Sequence, residues 1–232
     1  MSIVTPARRR GFEYLDDPSV PPAVRERSQR DVARANTLLG GARALVGALL
    51  PVLPDPGTGC TLLDVGTGLA DLPERAVRAA ARRGVAVSTI GCDAAASLLH
   101  AARARLTYAV CADALALPFA TASVDVVTCS QLLHHFARPD AVRLVREMRR
   151  VARRAVIVSD LRRSWVAMAG FWLVSVPLGF HPITRHDGAL SVLRGFTARE
   201  LAEIVAEGTG SAPRVARRAG FRLTALWEAA HA

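Results

Sequence analysis

The amino-acid sequence predicts an α/β protein with a doubly wound, mostly parallel sheet. Three observations indicate this class. Short apolar segments typical of buried strands alternate with segments that repeat apolar residues at helical spacing. The first of these strands runs into a glycine-containing turn followed by a helix, and later strands end in an acidic residue. The 232 residues, 51% of them hydrophobic, suffice for one such domain with a full core and are few for two.

The N-terminal segment predicts a helical cap ahead of the sheet. Helical spacing extends over residues 23–39 and again over 42–50, with a glycine pair between the two stretches. A proline-rich loop follows and precedes the first strand. We therefore expect a cap or lid over residues 1–55 and the main domain over residues 56–232.

The first strand, over residues 60–65, leads into the turn that we expect to form the main binding site. The turn contains Gly66 and Gly68, which let the backbone approach a ligand closely while the next helix N-terminus points at it. A dinucleotide fingerprint would require a third glycine where the chain has Asp71. The turn therefore predicts a different nucleotide-type site, with Asp64 two residues before its first glycine.

The second and third strands add acidic residues at the same edge of the sheet. The second strand, over residues 85–92, is followed directly by Asp93. A helix over residues 95–105 leads to the third strand, over residues 107–111, and Asp113 lies just beyond that strand. Ligands of doubly wound sheets bind at these carboxyl ends. Asp93 can accept hydrogen bonds from both ribose hydroxyls of a nucleoside, and Asp113 can accept one from an adenine amino group.

The fourth and fifth strands end near a histidine and an aspartate. A strand within residues 122–130 is followed by His134, and a helix over 141–151 leads to a strand over 155–159 that ends in Asp160. Because the two strand ends open on the same cleft, we expect the two side chains to lie close together.

The C-terminal third contains an apolar stretch, a polar segment and a hairpin. Residues 165–180 are almost entirely apolar but too few to cross a membrane. We expect residues 181–188 to form a polar loop. Strands over 213–218 and 221–227 flank Ala219 and Gly220, which predicts a hairpin with a two-residue turn.

The order of these motifs resembles that of class I S-adenosylmethionine-dependent methyltransferases, in the branch that acts on quinones, phenols and other small molecules. The resemblance is firm over residues 61–161. The motifs that carry it are Asp64-x-Gly66-x-Gly68-x-Ala70, Leu117-Pro118-Phe119, Ser123-Val124-Asp125-Val126-Val127 and Leu133-His134-His135-Phe136.

The resemblance implies a Rossmann-like, seven-stranded sheet with an antiparallel last strand, and S-adenosyl-L-methionine as the cofactor. It also implies an insert over the substrate, at about residues 162–195. Tyr14, Arg30 and Asn36 of the cap are candidates to reach the cofactor. The residues expected to bind the cofactor directly are Asp64, Gly66, Thr67, Gly68, Asp93, Ala94, Asp113, Ala114 and Ser130.

The chemistry of methyl transfer to a phenol predicts a general base. A phenol with a pKa of about 10 reacts faster once its proton is lost, and histidine is the usual proton acceptor. We expect His134 to be this base, with Asp160 orienting it. His186 with Asp187 is the rival pair, and we expect His135 to point away from the site.

The apolar stretch predicts a lipophilic, aromatic acceptor. The residues expected to form its pocket are Trp165, Phe171, Trp172 and His186. Core packing is an alternative reading of the same aromatic residues, and contact with a membrane surface is another.

The composition limits the partners of the protein. The net charge is +10 and every basic residue is arginine, but the arginines are scattered in twos and threes rather than gathered in a basic run. We therefore expect no nucleic-acid partner. Four cysteines without C-x-x-C spacing read as small buried thiols in the cytoplasm, with no metal. The oligomeric state is left open.

Three alternative functions stay open at this point. Methylation of a ring carbon would need the same cofactor site. An RNA methyltransferase would account for the positive charge, although the segment Ser130-Gln131-Leu132-Leu133 lacks the Asp/Asn-Pro-Pro-aromatic run of enzymes that methylate amino groups. A protein that binds the cofactor without turnover would keep the same acidic residues and glycines.

Overall fold

The computed structural model describes residues 5–17 and 19–229, apart from the side chain of Asp16. Helices and strands alternate along most of that range. The helices are α1 (Pro22–Leu38), α2 (Gly41–Leu49), α3 (Asp71–Ala81), α4 (Ala96–Ala102), α5 (Arg138–Val151), α6 (Trp165–Ser175), α7 (Pro182–Arg194) and α8 (Ala198–Thr209). The strands are β1 (Gly59–Val65), β2 (Ala86–Asp93), β3 (Tyr108–Cys111), β4 (Val124–Ser130), β5 (Ala152–Leu161), β6 (Arg214–Arg218) and β7 (Arg222–Glu228).

The seven strands form one sheet in the order β3-β2-β1-β4-β5-β7-β6. Strands β1 to β5 are parallel to one another, and β7 runs antiparallel between β5 and β6. The strand order reverses between β1 and β4, so a crevice opens there at the carboxyl ends of the strands. This topology confirms the predicted class, a doubly wound and mostly parallel sheet with an antiparallel strand at the end of the chain.

The core lies on both faces of the central strands, which explains why these strands are apolar along their whole length. One face packs against α5 and α8, with Val127 and Val156 fully buried beneath them. The other face packs against α2 and α3, where Leu45 and Leu49 contact residues of β1. Helix α2 is thus part of the layer that covers the sheet. The division into a cap and a main domain stays a prediction.

The expected polar loop at residues 181–188 is instead the start of α7. Pro182 occupies the first turn, and the side chain of His181 caps the helix by accepting a hydrogen bond from Ile183 N. The polar residues that suggested a loop include Thr184 and Asp187, which are buried three residues apart on one helix face. Their partners come from the N-terminal segment, which local sequence could not indicate.

Two smaller expectations also need correction. The hairpin has three residues between its paired ends, since Arg218 pairs with Arg222 and Phe221 adopts a positive φ of 54°. Cys111 is exposed, because β3 is an edge strand with neighbours on one side only. The other three cysteines are buried as expected.

Across residues 5–17 and 19–229, no single helix combines the length and the apolar character needed to cross a membrane. The bent pair Pro22–Leu38 and Gly41–Val52 meets those requirements only when its two helices are counted together.

Candidate active site

A cavity of about 640 Å³ opens at the carboxyl ends of the parallel strands. Its walls come from the turn after β1, the ends of β2, β4 and β5, the cap helix α1 and the helices of the insert. The predicted residues that line it are Asn36, Asp64, Gly66, Thr67, Gly68, Asp93, Ala94, Ser130, His134, Phe171 and Asp187. The cavity is large enough for a nucleoside-sized ligand together with part of a second molecule.

The turn after β1 uses its glycines to bring the backbone to the cavity wall. Gly66 has a φ of 73° and Gly68 a φ of 53°, values that glycine adopts without steric cost. A Cβ on Gly66 would lie 2.8 Å from the side chain of Leu132. Both backbone conformation and space therefore require glycine at position 66.

Asp93 is held in place by this turn. Its Oδ2 accepts a hydrogen bond from Gly68 N and its Oδ1 one from Ala95 N, both at 2.9 Å. Each carboxylate oxygen has two lone pairs, so each can still accept a bond from a ligand hydroxyl. The arrangement fits the expected role of Asp93 on a ribose diol.

Asp64 is buried at the base of the cavity. Burial raises its pKa to about 7, against the opposing effect of a 2.7 Å hydrogen bond donated by Thr128 Oγ1. A carboxyl group with this pKa exchanges its proton close to neutral pH. It can therefore respond to the charge of whatever binds above it.

Asp113 and Ala114 lie outside the residues that line the cavity. Asp113 is exposed, and its Oδ1 accepts a hydrogen bond from Leu115 N at 2.8 Å in a local turn. Ala112 N donates to Asp93 O at 3.2 Å, so this turn begins beside the end of β2. Contact of these two residues with an adenine ring stays a prediction.

His134 and Asp160 form a buried pair at the ends of β4 and β5. The distance from His134 Nδ1 to Asp160 Oδ1 is 2.7 Å, and Asp160 Oδ2 accepts a hydrogen bond from the backbone N of His134 at 3.1 Å. Burial favours the neutral acid, but the adjacent imidazole and this bonding hold the pKa of Asp160 below its ordinary value. The carboxylate is therefore ionised and accepts a hydrogen bond from the Nδ1–H of His134.

This bond fixes the tautomer of the neutral His134 ring. With the proton on Nδ1, the lone pair is on Nε2, which is buried and has no hydrogen-bond partner among the residues described. The ring lines the cavity. The geometry is that of a base held by a second group, the arrangement that proton abstraction requires.

The rival pair, His186 and Asp187, has a different environment. The side chain of His186 is half-exposed and outside the cavity lining, and its ring packs on Tyr14. Asp187 is buried and accepts hydrogen bonds from the backbone N of Tyr14 at 3.0 Å and of Leu15 at 2.9 Å. Asp187 thus fastens the N-terminal segment to α7.

The aromatic residues of the insert divide between the cavity and the surface. Phe171 lines the cavity, whereas Trp165 and Trp172 are 37% and 45% exposed and lie outside the lining. The guanidinium of Arg9 lies over the Trp165 ring and that of Arg185 over the Trp172 ring. The expected pocket residues Trp165 and Trp172 are not part of this cavity, because α6 turns only one side inward, and His186 of α7 does not line it either.

Among the cap candidates, only Asn36 lines the cavity. Tyr14 is about half-exposed and packs against Phe12 and His186. Arg30 pairs with Glu26 one turn earlier in α1. Neither Tyr14 nor Arg30 is among the residues that line the cavity, and their contact with the cofactor stays a prediction.

Glu13 lines the cavity although no sequence motif indicated it, and His135 lines the cavity although it was expected to point away. Glu13 is buried and forms an ion pair with Arg194 at 2.7 Å, and its Oε2 lies 3.8 Å from His135 Nε2. His135 therefore lines the cavity, contrary to expectation, with its ring stacked on that of His134 at a centroid distance of 4.4 Å. Position 13 lies in an irregular segment with no motif, so only tertiary packing brings it here.

Glu13, His134 and His135 also offer potential metal ligands. One donor atom from each lies within 4.8 Å of the other two. Glu13 already binds Arg194 and accepts a hydrogen bond from Ser191 Oγ at 3.0 Å. A neighbouring arginine opposes a second cation, so this charge balance suits a proton-transfer site better than a metal centre.

The residues around the turn fit S-adenosylmethionine. The glycine cradle leaves room for a close backbone approach, Asp93 offers free lone pairs at the expected ribose position, and Asp64 places a carboxyl group in the wall. Asp64 can stabilise a positively charged ligand by ionising.

Comparison with known proteins gives the same assignment. A methyltransferase-domain family model matches residues 63–158. No curated protein matches the sequence.

Several solved structures share the fold. The magnesium protoporphyrin IX methyltransferase ChlM of Synechocystis, with bound S-adenosylhomocysteine, is 15% identical over 82% of both chains, with a TM-score of 0.54. A Nostoc punctiforme protein assigned as an O-methyltransferase is 18% identical over 96% of this chain and 64% of its own, with a TM-score of 0.62. The pyocyanin biosynthetic protein PhzM is 18% identical over 94% of this chain and 61% of its own, with a TM-score of 0.60.

At such low identities the likeness establishes the fold, and the family match identifies the domain. S-adenosylmethionine is the cofactor of this domain. Residues 63–158 carry a methyltransferase domain, and the protein is an S-adenosylmethionine-dependent methyltransferase.

Proposed function

We propose that the protein transfers a methyl group to the hydroxyl oxygen of a lipophilic phenol or quinol. The observation that carries this proposal is the buried pair of His134 and Asp160, with Nε2 of His134 unpartnered in a cavity-lining ring. A base held in this way serves an acceptor that must lose a proton, as a phenol must.

S-adenosylmethionine supplies an electrophilic methyl group when it is bound. The residues of the chain then have two tasks. Nε2 of His134 takes the proton of the acceptor hydroxyl, and Asp160 stabilises the imidazolium that forms. Positioning of the two reactants in one cavity supplies about 7–11 kcal/mol of barrier lowering, and a positioned base adds about 10²–10⁴-fold.

The lining of the cavity supports an apolar acceptor. Beside the polar groups at the strand ends, the wall includes Val32, Leu132, Leu161, Phe171 and Val192. A few polar groups within an apolar wall are typical of a small-molecule site. The similarity to the Nostoc protein assigned as an O-methyltransferase favours oxygen methylation, and the similarity to the pyocyanin biosynthetic protein PhzM favours a small-molecule acceptor.

The methylated atom, the location of the protein and its metabolic role stay predictions. Methylation of a ring carbon remains the near alternative, to be separated by the structure of the product. A cytoplasmic location and a role in secondary metabolism also remain predictions. Contact of the exposed face of α6 with a membrane surface is a further one, favoured by the exposed Trp172 and Leu173.

The test is release of S-adenosylhomocysteine by the purified protein. The acceptors would be alkylresorcinols, polyketide phenols and quinols, with total RNA tested separately. We expect turnover with lipophilic phenols and none with RNA. Turnover on RNA alone would overturn the proposal, and so would cofactor binding without turnover on any phenol. Repeating the assay with a chelator tests whether Glu13, His134 and His135 bind a metal ion that the reaction needs. We expect an unchanged rate.

A further inference from the structure

Arg222, the first residue of β7, carries a buried positive charge at the wall of the active-site cavity. Only 4% of the residue is exposed, and it lines the cavity together with Gln131 and Leu161. Its backbone pairs with Leu161, directly after Asp160. No motif of the cofactor site includes this residue, and the proton transfer described above does not use it.

A second buried arginine serves as a comparison, because every nitrogen of its guanidinium has a hydrogen-bond partner. Arg163 is 5% exposed, donates to Pro6 O and Gly195 O at 2.7 Å each, and forms a two-pronged ion pair with Glu200 at 2.8 and 3.0 Å. Every part of that group has a partner, as expected for a charge removed from water.

Arg222 lacks such partners. Its Nη1 donates to Gln131 Oε1 at 2.7 Å, its Nε is buried without a hydrogen-bond partner, and it forms no ion pair with a carboxylate of the described residues. Asp160 is the acid that influences it, and the oxygens of Asp160 are already bonded to His134 and to Leu161 N. Burial lowers the pKa of Arg222 to about 10, which still leaves it charged at neutral pH.

A buried cation without a partner is costly, and an anion that binds beside it removes the cost. The side chain of Arg222 is also held in position, because Gln131, which accepts its hydrogen bond, donates another one to Asn36 of the cap. The fork of the guanidinium suits a carboxylate or a comparable anionic oxygen.

The place of Arg222 in the sheet separates it from the cofactor side of the cavity. The cofactor residues Gly66, Gly68 and Asp93 follow β1 and β2, whereas Arg222 begins β7, three strands from β1. At about 4.8 Å per strand, three strands span about 14 Å. His134 follows β4, between these two regions.

We propose that Arg222 binds an anionic oxygen of the methyl acceptor, a carboxylate or an acidic hydroxyl carried on the same ring system as the methylated hydroxyl. The inference rests on the proposed function and narrows its substrate class. The acceptor is then an apolar ring with one charged end, rather than a wholly neutral lipophilic phenol.

The test compares a hydroxynaphthoate with its methyl ester, which keeps the ring and removes the charge. The wild-type enzyme should favour the acid, measured as the ratio of kcat/KM for acid to ester. Arg222→Gln should lower that ratio by about 10- to 100-fold, the range expected for one lost charge-assisted contact. Arg222→Lys should recover part of it. Arg217→Gln is the matched control, because Arg217 is an exposed arginine of the same hairpin, and it should leave the ratio unchanged.

Calorimetry with S-adenosylhomocysteine tests whether Arg222 binds the carboxylate of the acceptor or the carboxylate of the cofactor's methionine part. We expect Arg222→Gln to bind it as tightly as the wild type does, within about twofold. A tenfold loss would overturn the inference, because Arg222 would then hold the methionine carboxylate. An unchanged acid-to-ester ratio in Arg222→Gln would overturn it too.

Failure of the proposed function gives a different result. If the wild type turns over neither acid nor ester, the proposed function fails, and Arg222 is judged by binding alone. Equilibrium binding of the hydroxynaphthoate to the complex with S-adenosylhomocysteine, lost in Arg222→Gln and kept in Arg217→Gln, would still support the anion site. A thermal midpoint of Arg222→Gln no lower than that of the wild type shows that the variant is folded.

Discussion

His134 and His135 are neighbours in sequence and face different carboxylates. His134 is bonded to the ionised Asp160 and keeps Nε2 without a partner, whereas His135 faces Glu13, which Arg194 already neutralises. A base needs a lone pair and a group that stabilises its protonated form. His134 has both, so we assign the proton transfer to it rather than to His135.

Asp64 should make cofactor binding depend on pH. Below its pKa of about 7 the carboxyl group is neutral, and the positive charge of S-adenosylmethionine favours its ionised form. Binding therefore releases a proton, and affinity should rise with pH by up to about tenfold per unit until about pH 7, then level off. Calorimetry between about pH 6 and pH 8 in buffers of different ionisation enthalpy measures both effects.

Two controls accompany this measurement. S-adenosylhomocysteine lacks the sulfonium charge, so its affinity should change less with pH. Asp64→Asn cannot ionise and should lose the dependence for both ligands. An affinity of the wild type for S-adenosylmethionine that stays flat over this range would contradict the role given to Asp64.

Single residues were predictable where they sit at the ends of consecutive strands. Parallel strands in register bring such ends together, so the sequence indicated that His134 and Asp160 would meet. Glu13 and Arg222 come from an irregular segment and from the last hairpin, more than 80 residues apart from their partners His135 and Gln131. Nothing local in the sequence predicts such contacts.

Helices α6 and α7 form the roof of the acceptor side. They pack on each other through Phe171 and Gly188, both of which line the cavity. Asp31 of α1 accepts hydrogen bonds from His181 N at 2.8 Å and Thr184 Oγ1 at 3.2 Å, which ties the roof to the cap. The region predicted as an insert contains these two helices, although its polar half was expected to be a loop.

Gly188→Ala should change acceptor binding. A Cβ at this position would overlap the ring of Phe171 and push it from its place. Overpacking of this kind costs about 1–3 kcal/mol of stability, and the displaced Phe171 ring changes the cavity wall, so the KM for the acceptor should rise. Affinity for S-adenosylhomocysteine should not change, because its site lies on the other side of the switch point.

Gly170→Ala is the matched control in the same roof. A Cβ on Gly170 meets no atom within 4 Å, so only helix propensity changes, by about 1 kcal/mol in favour of the helix. Its KM for the acceptor should equal that of the wild type. Equal KM values for the two variants would show that Phe171 does not contact the acceptor.

At the scale of the whole molecule, the cap is fixed to the far end of the sheet. The junction of α1 and α2 lies against the turn between β6 and β7, where Gly220 approaches Leu39 O too closely for any Cβ. Arg163 of the segment after β5 holds both Pro6 and Glu200. The N-terminal segment, the sheet and α8 therefore form one connected body around the cavity.

Gly220→Ala should destabilise the protein more than its backbone conformation alone explains. Gly220 and Gly57 both have a positive φ, of 71° and 85°, which costs an alanine about 1–2 kcal/mol. A Cβ at Gly57 meets nothing within 4 Å, whereas one at Gly220 meets the Leu39 carbonyl. Thermal unfolding of the two variants should show a lower midpoint for Gly220→Ala, by about 2–4 °C for each further kcal/mol. Equal midpoints would mean that the cap is not fixed at this turn.

The sheet was the most predictable part of the molecule, because strands buried on both faces leave continuous apolar runs in the sequence. The helical N-terminal segment was also predictable, because its apolar residues repeat at helical spacing. The contacts between the cap, the roof and the hairpin were not. They depend on which buried polar groups find partners far along the chain.

The most direct test of the account is the dependence of rate on the acidity of the acceptor. Single-turnover methylation would be measured for phenols of graded pKa with the wild type and with His134→Gln. For a phenol with a pKa near 10 the variant should be slower by about 10²–10⁴-fold, and the deficit should shrink toward unity for phenols already ionised at the assay pH. A deficit that is the same for every phenol would contradict the assignment of His134 as the base.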